Sequence, residues 1–254
     1  MRNKKPYRTY SKFSEALNRK VTFFYYATLK DDEQGPLLIM HDGQNLFDDS
    51  KAAYGTSWGF LEALNEPGVA KMRVLGISNA GTFEGRCAEY SPFVRKAMIE
   101  EGIDYPTGGK GDLYLEYVIK DVLAHYRAKY PTTQVYMGGS SLGGLITLAA
   151  ILSYPDDLEG AFGLSNAFWV AEKPLLKRIT AFQGILPRFY LDIGTQESDD
   201  PRINALYAAS HTHFAAVLSE KPNKGLRYEL IEGGKHNEKD WSTRLPDVLR
   251  WLIR

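Results

Sequence analysis

Ser141 stands in Gly139-Ser140-Ser141-Leu142-Gly143, after the β-prone run Val135-Tyr136-Met137 and before apolar residues at helical spacing, Leu142, Ile146, Leu148, Ala149 and Leu152. A serine between glycines at such a strand-to-helix junction sits on a sharp turn, because any side chain at the flanks would strike neighbouring backbone. Its hydroxyl is lifted above the sheet edge, at the start of a helix running from Leu142 to about Ser153. There the unpaired N–H groups and the helix dipole favour negative charge. The chemistry that fits is nucleophilic attack on a carbonyl carbon, with the tetrahedral oxyanion held at the helix start. A glycine-rich turn with no catalytic role is the alternative for the pentapeptide alone, and the flanking strand and helix weigh against it.

A serine hydroxyl is a poor nucleophile near neutral pH, so it needs a histidine base, and the histidine needs a carboxylate. Three histidines follow Ser141. His211 and His213 fall inside a helical run, two residues apart, and read as packing or surface residues. His236 follows the strand Arg227-Tyr228-Glu229-Leu230-Ile231, past Gly233-Gly234, in a loop before the last helix, and is the expected base. For the acid, Phe189-Tyr190-Leu191-Asp192-Ile193 breaks at Gly194 and leads into Thr195-Gln196-Glu197-Ser198-Asp199-Asp200. Glu197 is the preferred carboxylate; Asp199 and Asp200 compete, with helix capping as their other role, and Asp192 is expected to orient backbone.

The oxyanion needs two donors. One is the backbone N–H of Leu142, next to the nucleophile. The other is assigned to Gln44, in His41-Asp42-Gly43-Gln44-Asn45-Leu46-Phe47-Asp48, where Gly43 is expected to turn the chain so that the Gln44 N–H faces the site. His41 precedes the elbow and is expected to pair locally. Arg86 and Glu89 are expected to fix a loop as a pair, and Gly108-Gly109-Lys110-Gly111 is read as a helix entrance, since it lacks phosphate-loop spacing.

These residues require a sheet to present them. Val21–Leu29, Pro36–Met40, Met72–Ser78, Gly160–Leu164, Pro187–Ile193 and Leu226–Ile231 read as strands, and Leu113–Tyr130, Pro201–Glu220 and Asp240–Ile253 as helices. Such alternation implies a mainly parallel central sheet with helices on both faces. Residues 1–254 are expected to form a single domain, and Ala167–Leu186 is too short for a large cap. Lys plus Arg equals Asp plus Glu at 31 each, so no charge footprint points to nucleic acid or an anionic membrane. No apolar run of signal-peptide or membrane-spanning length is present, and a cytoplasmic location is expected. Cys87 is the only cysteine, which excludes an intramolecular disulfide or a thiolate zinc site. No metal or cofactor is called for.

Taken together, the motifs resemble the esterase D-like branch of the α/β-hydrolases, which includes feruloyl and acetyl xylan esterases, enterochelin esterases, S-formylglutathione hydrolase and mycolyltransferases. The resemblance runs from His41–Asp48 through Glu89-Tyr90-Ser91-Pro92, Gly138–Gly144 and Gly194–Glu197 to Gly234-Lys235-His236. It implies an α/β-hydrolase fold, with Ser141, Glu197 and His236 as triad and Leu142 and Gln44 as oxyanion donors. The sequence departs from the family after the histidine, where many relatives carry an aromatic residue and this chain has Asn237, with Trp241 the next aromatic.

Asn45, Trp58, Tyr90, Phe168 and Trp169 lie near the ends of elements and are the candidates for binding the substrate, with core packing as the alternative for each aromatic ring. The leading expectation is a serine esterase acting through an acyl-enzyme on a small or carbohydrate-linked ester. An acyltransferase with the same triad is the nearest rival, and a non-catalytic binding module on the same fold is a third reading. Oligomeric state is not readable from these residues.

Overall fold

The computed structural model of the chain describes residues 6–96 and 106–253. The charged opening Met1–Lys5 lies outside them. Strands β1 (Arg8–Ser14), β2 (Arg19–Ala27), β3 (Gly35–Met40), β4 (Arg73–Ile77), β5 (Thr132–Ser140), β6 (Gly160–Leu164), β7 (Arg188–Gln196) and β8 (Leu226–Lys235) form one eight-stranded sheet. Their order is β1-β2-β4-β3-β5-β6-β7-β8, antiparallel at β1–β2 and β2–β4 and parallel from β4 to β8. The mainly parallel sheet expected from the alternating elements is present.

Side-chain alternation along the strands builds two cores. Leu37 and Ile39 of β3 and Val135 and Met137 of β5 face one side, under α2 (Phe83–Tyr90), α3 (Gly111–Glu116), α4 (Ala124–Lys129), α5 (Leu142–Ser153), α6 (Glu172–Ala181) and α7 (Pro201–Ser219). Leu38, Met40 and Tyr136 face the other, under α1 (Phe60–Ala63) and α8 (Glu238–Leu252). This is the α/β-hydrolase architecture. Between β6 and β7 there is only the short 3-10 turn Phe168–Ala171 and α6, with no large cap. Among the described residues no helix is long and apolar enough to cross a membrane.

Three differences from the expected elements have physical causes. β1 has no apolar run to announce it: six of its seven residues are exposed, and it is held by pairing with β2 and by Tyr10 stacked on Phe23 at 4.9 Å. The helix expected over Leu113–Tyr130 contains a π segment, Tyr117–Leu123, between α3 and α4. Its wider turn lets the adjacent pairs Val118-Ile119 and Val122-Leu123 all be buried. Most important for the site, β7 and β8 do not stop at Ile193 and Ile231. They continue to Gln196 and Lys235 through a register shift between Gly194 and Gln196, where a β-bulge absorbs the extra length.

Candidate active site

The C-terminal ends of β3, β5, β6, β7 and β8 lie along one edge, the place where open α/β sheets bind ligands. β5 ends at Ser140, and Ser141 follows with φ 58° and ψ −123°. Such a conformation costs a non-glycine residue on the order of 1–3 kcal/mol and persists only when the surroundings determine it. Here they do: the Ser141 N–H donates to Leu164 O at 3.0 Å, and its carbonyl accepts from the N–H groups of Gly144, Leu145 and Ala167 at 3.1, 3.2 and 3.1 Å. A Cβ on Gly139 would sit 2.8 Å from the Gly143 carbonyl carbon, so the glycine pair permits the close approach of strand and helix. The Leu142 N–H, first in α5, has no intrahelical acceptor and is free to receive an oxyanion.

The β7–β8 register brings the expected acid and base together. Gln196 pairs with Lys235, so Glu197 and His236, one residue on in each strand, emerge side by side. His236 Nδ1 lies 2.7 Å from Glu197 Oε2. The other carboxylate oxygen accepts from the Gly194 N–H at 2.5 Å and the Ser165 hydroxyl at 2.8 Å. Glu197 is buried, whereas His236 is partly open to solvent. Of the rival carboxylates, Asp200 caps α7 by accepting from the Arg202 N–H at 2.9 Å, and Asp199 is exposed. Asp192 orients backbone as expected, accepting from the Ser165 N–H at 3.1 Å while bound by Arg244 at 2.6 Å.

Tyr207 of α7, which no motif marks, packs beside this pair. Its ring centroid is 5.5 Å from that of His236. Burial pushes its phenol above the ordinary range. The only sequence signal available was an aromatic residue on the helix that follows the acid. A roughly 570 Å³ surface cavity lies elsewhere, between Asp49, Glu62 and Arg250, away from these residues. Among the described residues, no group of three or more His, Cys, Asp or Glu side chains is placed to hold a metal.

The loop expected to supply the second oxyanion donor is a 3-10 turn, Gly43–Asn45, at the end of β3. Its left-handed residue is Asp42, at φ 52°, and not Gly43. Gly43 is required instead because a Cβ there would lie 2.4 Å from the Gly76 carbonyl carbon in β4. Asp42 is clamped by Arg86 at 2.9 Å, by Asn79 at 2.6 Å and, through its own N–H, by the Tyr90 hydroxyl at 2.9 Å. Burial works against the Asp42 carboxylate, but Arg86 and Asn79 together hold it below the usual range. Gln44 sits at the tip, partly exposed. Beneath it His41 is buried and bonded through Nδ1 to the Tyr114 hydroxyl at 2.8 Å, and desolvation holds its pKa down to about 4. Arg86 and Glu89 do not pair with each other as expected; Glu89 is bound by Arg19 at 2.6 Å.

Most of the residues expected to bind substrate are structural. Trp58 is 2% exposed and packs on Phe60, Phe162 and Trp241. Phe168 is fully buried, stacked on His211 at 5.2 Å and against Phe214 at 4.7 Å. Tyr90 is buried under the Asp42 clamp. Asn45 uses both ends of its amide inside the protein, accepting from the Ala53 N–H at 3.0 Å and donating to Glu238 at 2.9 Å. In each case burial removes the side chain from any ligand. Trp169 alone stays half-buried beside the site, with the Arg95 guanidinium 5.1 Å from its ring centroid and Tyr207 at 5.7 Å. Asn237 is the N-cap of α8, accepting from the Asp240 N–H at 3.0 Å.

Residues 14–252 match the family described as "Putative esterase", and the chain belongs to that family and is an esterase. The uncharacterized protein YbbA of Bacillus subtilis is 22% identical over 246 residues, 94% of each chain. Among solved structures, an IroE-like serine hydrolase from Shewanella oneidensis superposes with a TM-score of 0.77 at 17% identity, covering 97% of this chain and 80% of that one. The enterobactin esterase FES from Shigella flexneri gives 0.72 at 17% identity over 97% of this chain, which spans 59% of that protein's length.

Proposed function

We propose that this member of the esterase family hydrolyses a carboxylic ester through an acyl-enzyme on Ser141. The ester carbonyl carbon is attacked by Ser141 Oγ while His236 Nε2 takes the hydroxyl proton. Glu197 holds the Nδ1–H tautomer and stabilises the imidazolium, and the N–H groups of Leu142 and Gln44 receive the oxyanion. The imidazolium then protonates the departing alcohol, and water repeats the sequence to release the acid. The observation that carries this reading is the 2.7 Å contact between His236 Nδ1 and Glu197 Oε2, on the same C-terminal sheet edge from which the elbow leaves β5. The substrate is a small or carbohydrate-linked ester, matching a site without a large cap; enterobactin joins the panel because a structural neighbour is an enterobactin esterase.

The test is fluorophosphonate labelling together with hydrolysis of a short-chain nitrophenyl ester by wild type and Ser141→Ala. Labelling of wild type and loss of both labelling and turnover in Ser141→Ala are expected. An unlabelled wild type, or a Ser141→Ala variant that hydrolyses equally well, sinks the reading. Product analysis with added alcohols separates hydrolysis from acyl transfer.

A further inference from the structure

We infer that Ser165 is a positioning residue that, with Trp241, fixes the direction of the acid–base pair. Ser165 directly follows β6, is fully buried, and has φ 49°. Its backbone is pinned by donation to the main-chain and side-chain oxygens of Asp192, each at 3.1 Å, and Arg244 of α8 anchors that carboxylate. Its hydroxyl makes two bonds, one with Trp241 Nε1 at 2.8 Å and one with Glu197 Oε1 at 2.8 Å.

The polarity of these bonds is forced. An indole N–H only donates, so Ser165 Oγ accepts from Trp241 and its single proton points at Glu197. Oε1 then faces two donors, the Ser165 hydroxyl and the Gly194 N–H, and neither leaves room for a carboxylic acid proton. Oε2 is thereby left to face His236 Nδ1. The circuit closes on itself, because the His236 ring meets the Trp241 ring edge to face, centroids 5.2 Å apart and planes at 76°. Trp241 is 4% exposed, so the first aromatic residue after the histidine supports the base from within and does not line a substrate pocket.

This inference rests on the triad reading above, and its test separates the two. Ser165→Gly removes the hydroxyl at a left-handed position that glycine adopts freely, and Trp241→Phe keeps an aromatic ring while removing the N–H. The measurements are kcat, KM and the pH profile of kcat/KM from about pH 5 to about pH 9, with Ser141→Ala as the reference for the triad itself. With one donor gone, the Glu197 carboxylate attracts the imidazolium more strongly. The acid limb then moves to higher pH, by about one unit for Ser165→Gly, with kcat down about tenfold and KM unchanged. Trp241→Phe shifts the limb in the same direction by less. If Ser141 is essential and neither variant moves the acid limb, the inference is wrong while the esterase reading stands. Should Ser165→Gly not fold, the Trp241→Phe profile decides alone by the same criterion.

Discussion

Glu197→Gln is expected to preserve the shape of the site while reversing the tautomer of its base. An amide can occupy the Glu197 position in two ways. With its oxygen at the Oε1 position it keeps the Gly194 N–H and the Ser165 hydroxyl as donors, and its NH2 faces His236 Nδ1. The imidazole then carries its proton on Nε2 and cannot take one from Ser141. With the amide reversed, the correct tautomer survives, but NH2 confronts the Gly194 N–H, which is fixed in the backbone and buried. Leaving such a donor unpaired costs about 1–3 kcal/mol, so the first orientation prevails. A wrong-tautomer substitution of this kind lowers kcat by about 10⁴, or about 5.5 kcal/mol at 1.36 kcal/mol per decade. The assay is steady-state hydrolysis of a nitrophenyl ester beside Asp200→Asn. The latter only exchanges one good helix cap for another and stays within about twofold of wild type. A Glu197→Gln enzyme retaining more than about a tenth of wild-type kcat, or an Asp200→Asn enzyme that loses more than it, refutes this assignment.

Trp58→Ala removes a fully packed ring from the core around Phe162 and Trp241, so it lowers stability by about 3–5 kcal/mol in a urea titration. KM of the folded variant stays at the wild-type value; a selective rise in KM without loss of stability contradicts the core placement. Acid is expected to destabilise the protein. Burial lowers His41 from the ordinary 6.5 to about 4 and His211 to about 3, so between these values the unfolded chain binds more protons than the folded one. Stability is therefore full above about pH 6.5 and falls as pH drops toward 4, and urea midpoints at successive pH values measure it. A midpoint independent of pH across that window shows that these histidines are not neutral in the fold.

The parts of the fold legible in the sequence were those whose burial leaves a pattern. β3, β4, β5 and β6 are buried on both faces and appear as short apolar runs, and α5 follows its glycines with nearly every residue buried. β1 left no such pattern because it is an edge strand facing solvent. Glycine misled in one place: Gly194 and Gly233-Gly234 look like loop punctuation, yet all three lie in paired strands. A Cβ on Gly194 would meet the Gly234 carbonyl oxygen at 2.1 Å. Gly194 and Gly234 let the two strands approach through a bulge, a relation between residues forty positions apart that local pattern does not encode.

The same distinction explains which site residues could be found. Ser141, Glu197 and His236 could be named as candidates because each follows an apolar strand run by a few residues. Aromatic type alone did not separate pocket from core, since Trp58 and Phe168 are buried while Trp169 is half-open. Ser165 and Tyr207 carry no local signature. Ser165 matters because β5 and β6 run in register, Ser140 against Leu164, and the next residues, Ser141 and Ser165, leave the same edge. Tyr207 matters because α7 packs against β7 and carries its ring to His236. The strand ends supply the reacting groups, while the residues that orient them are selected by parallel register and by which helix covers which strand. A sequence therefore discloses such a site from its chemistry outward, and the positioning shell becomes visible only when the sheet is assembled.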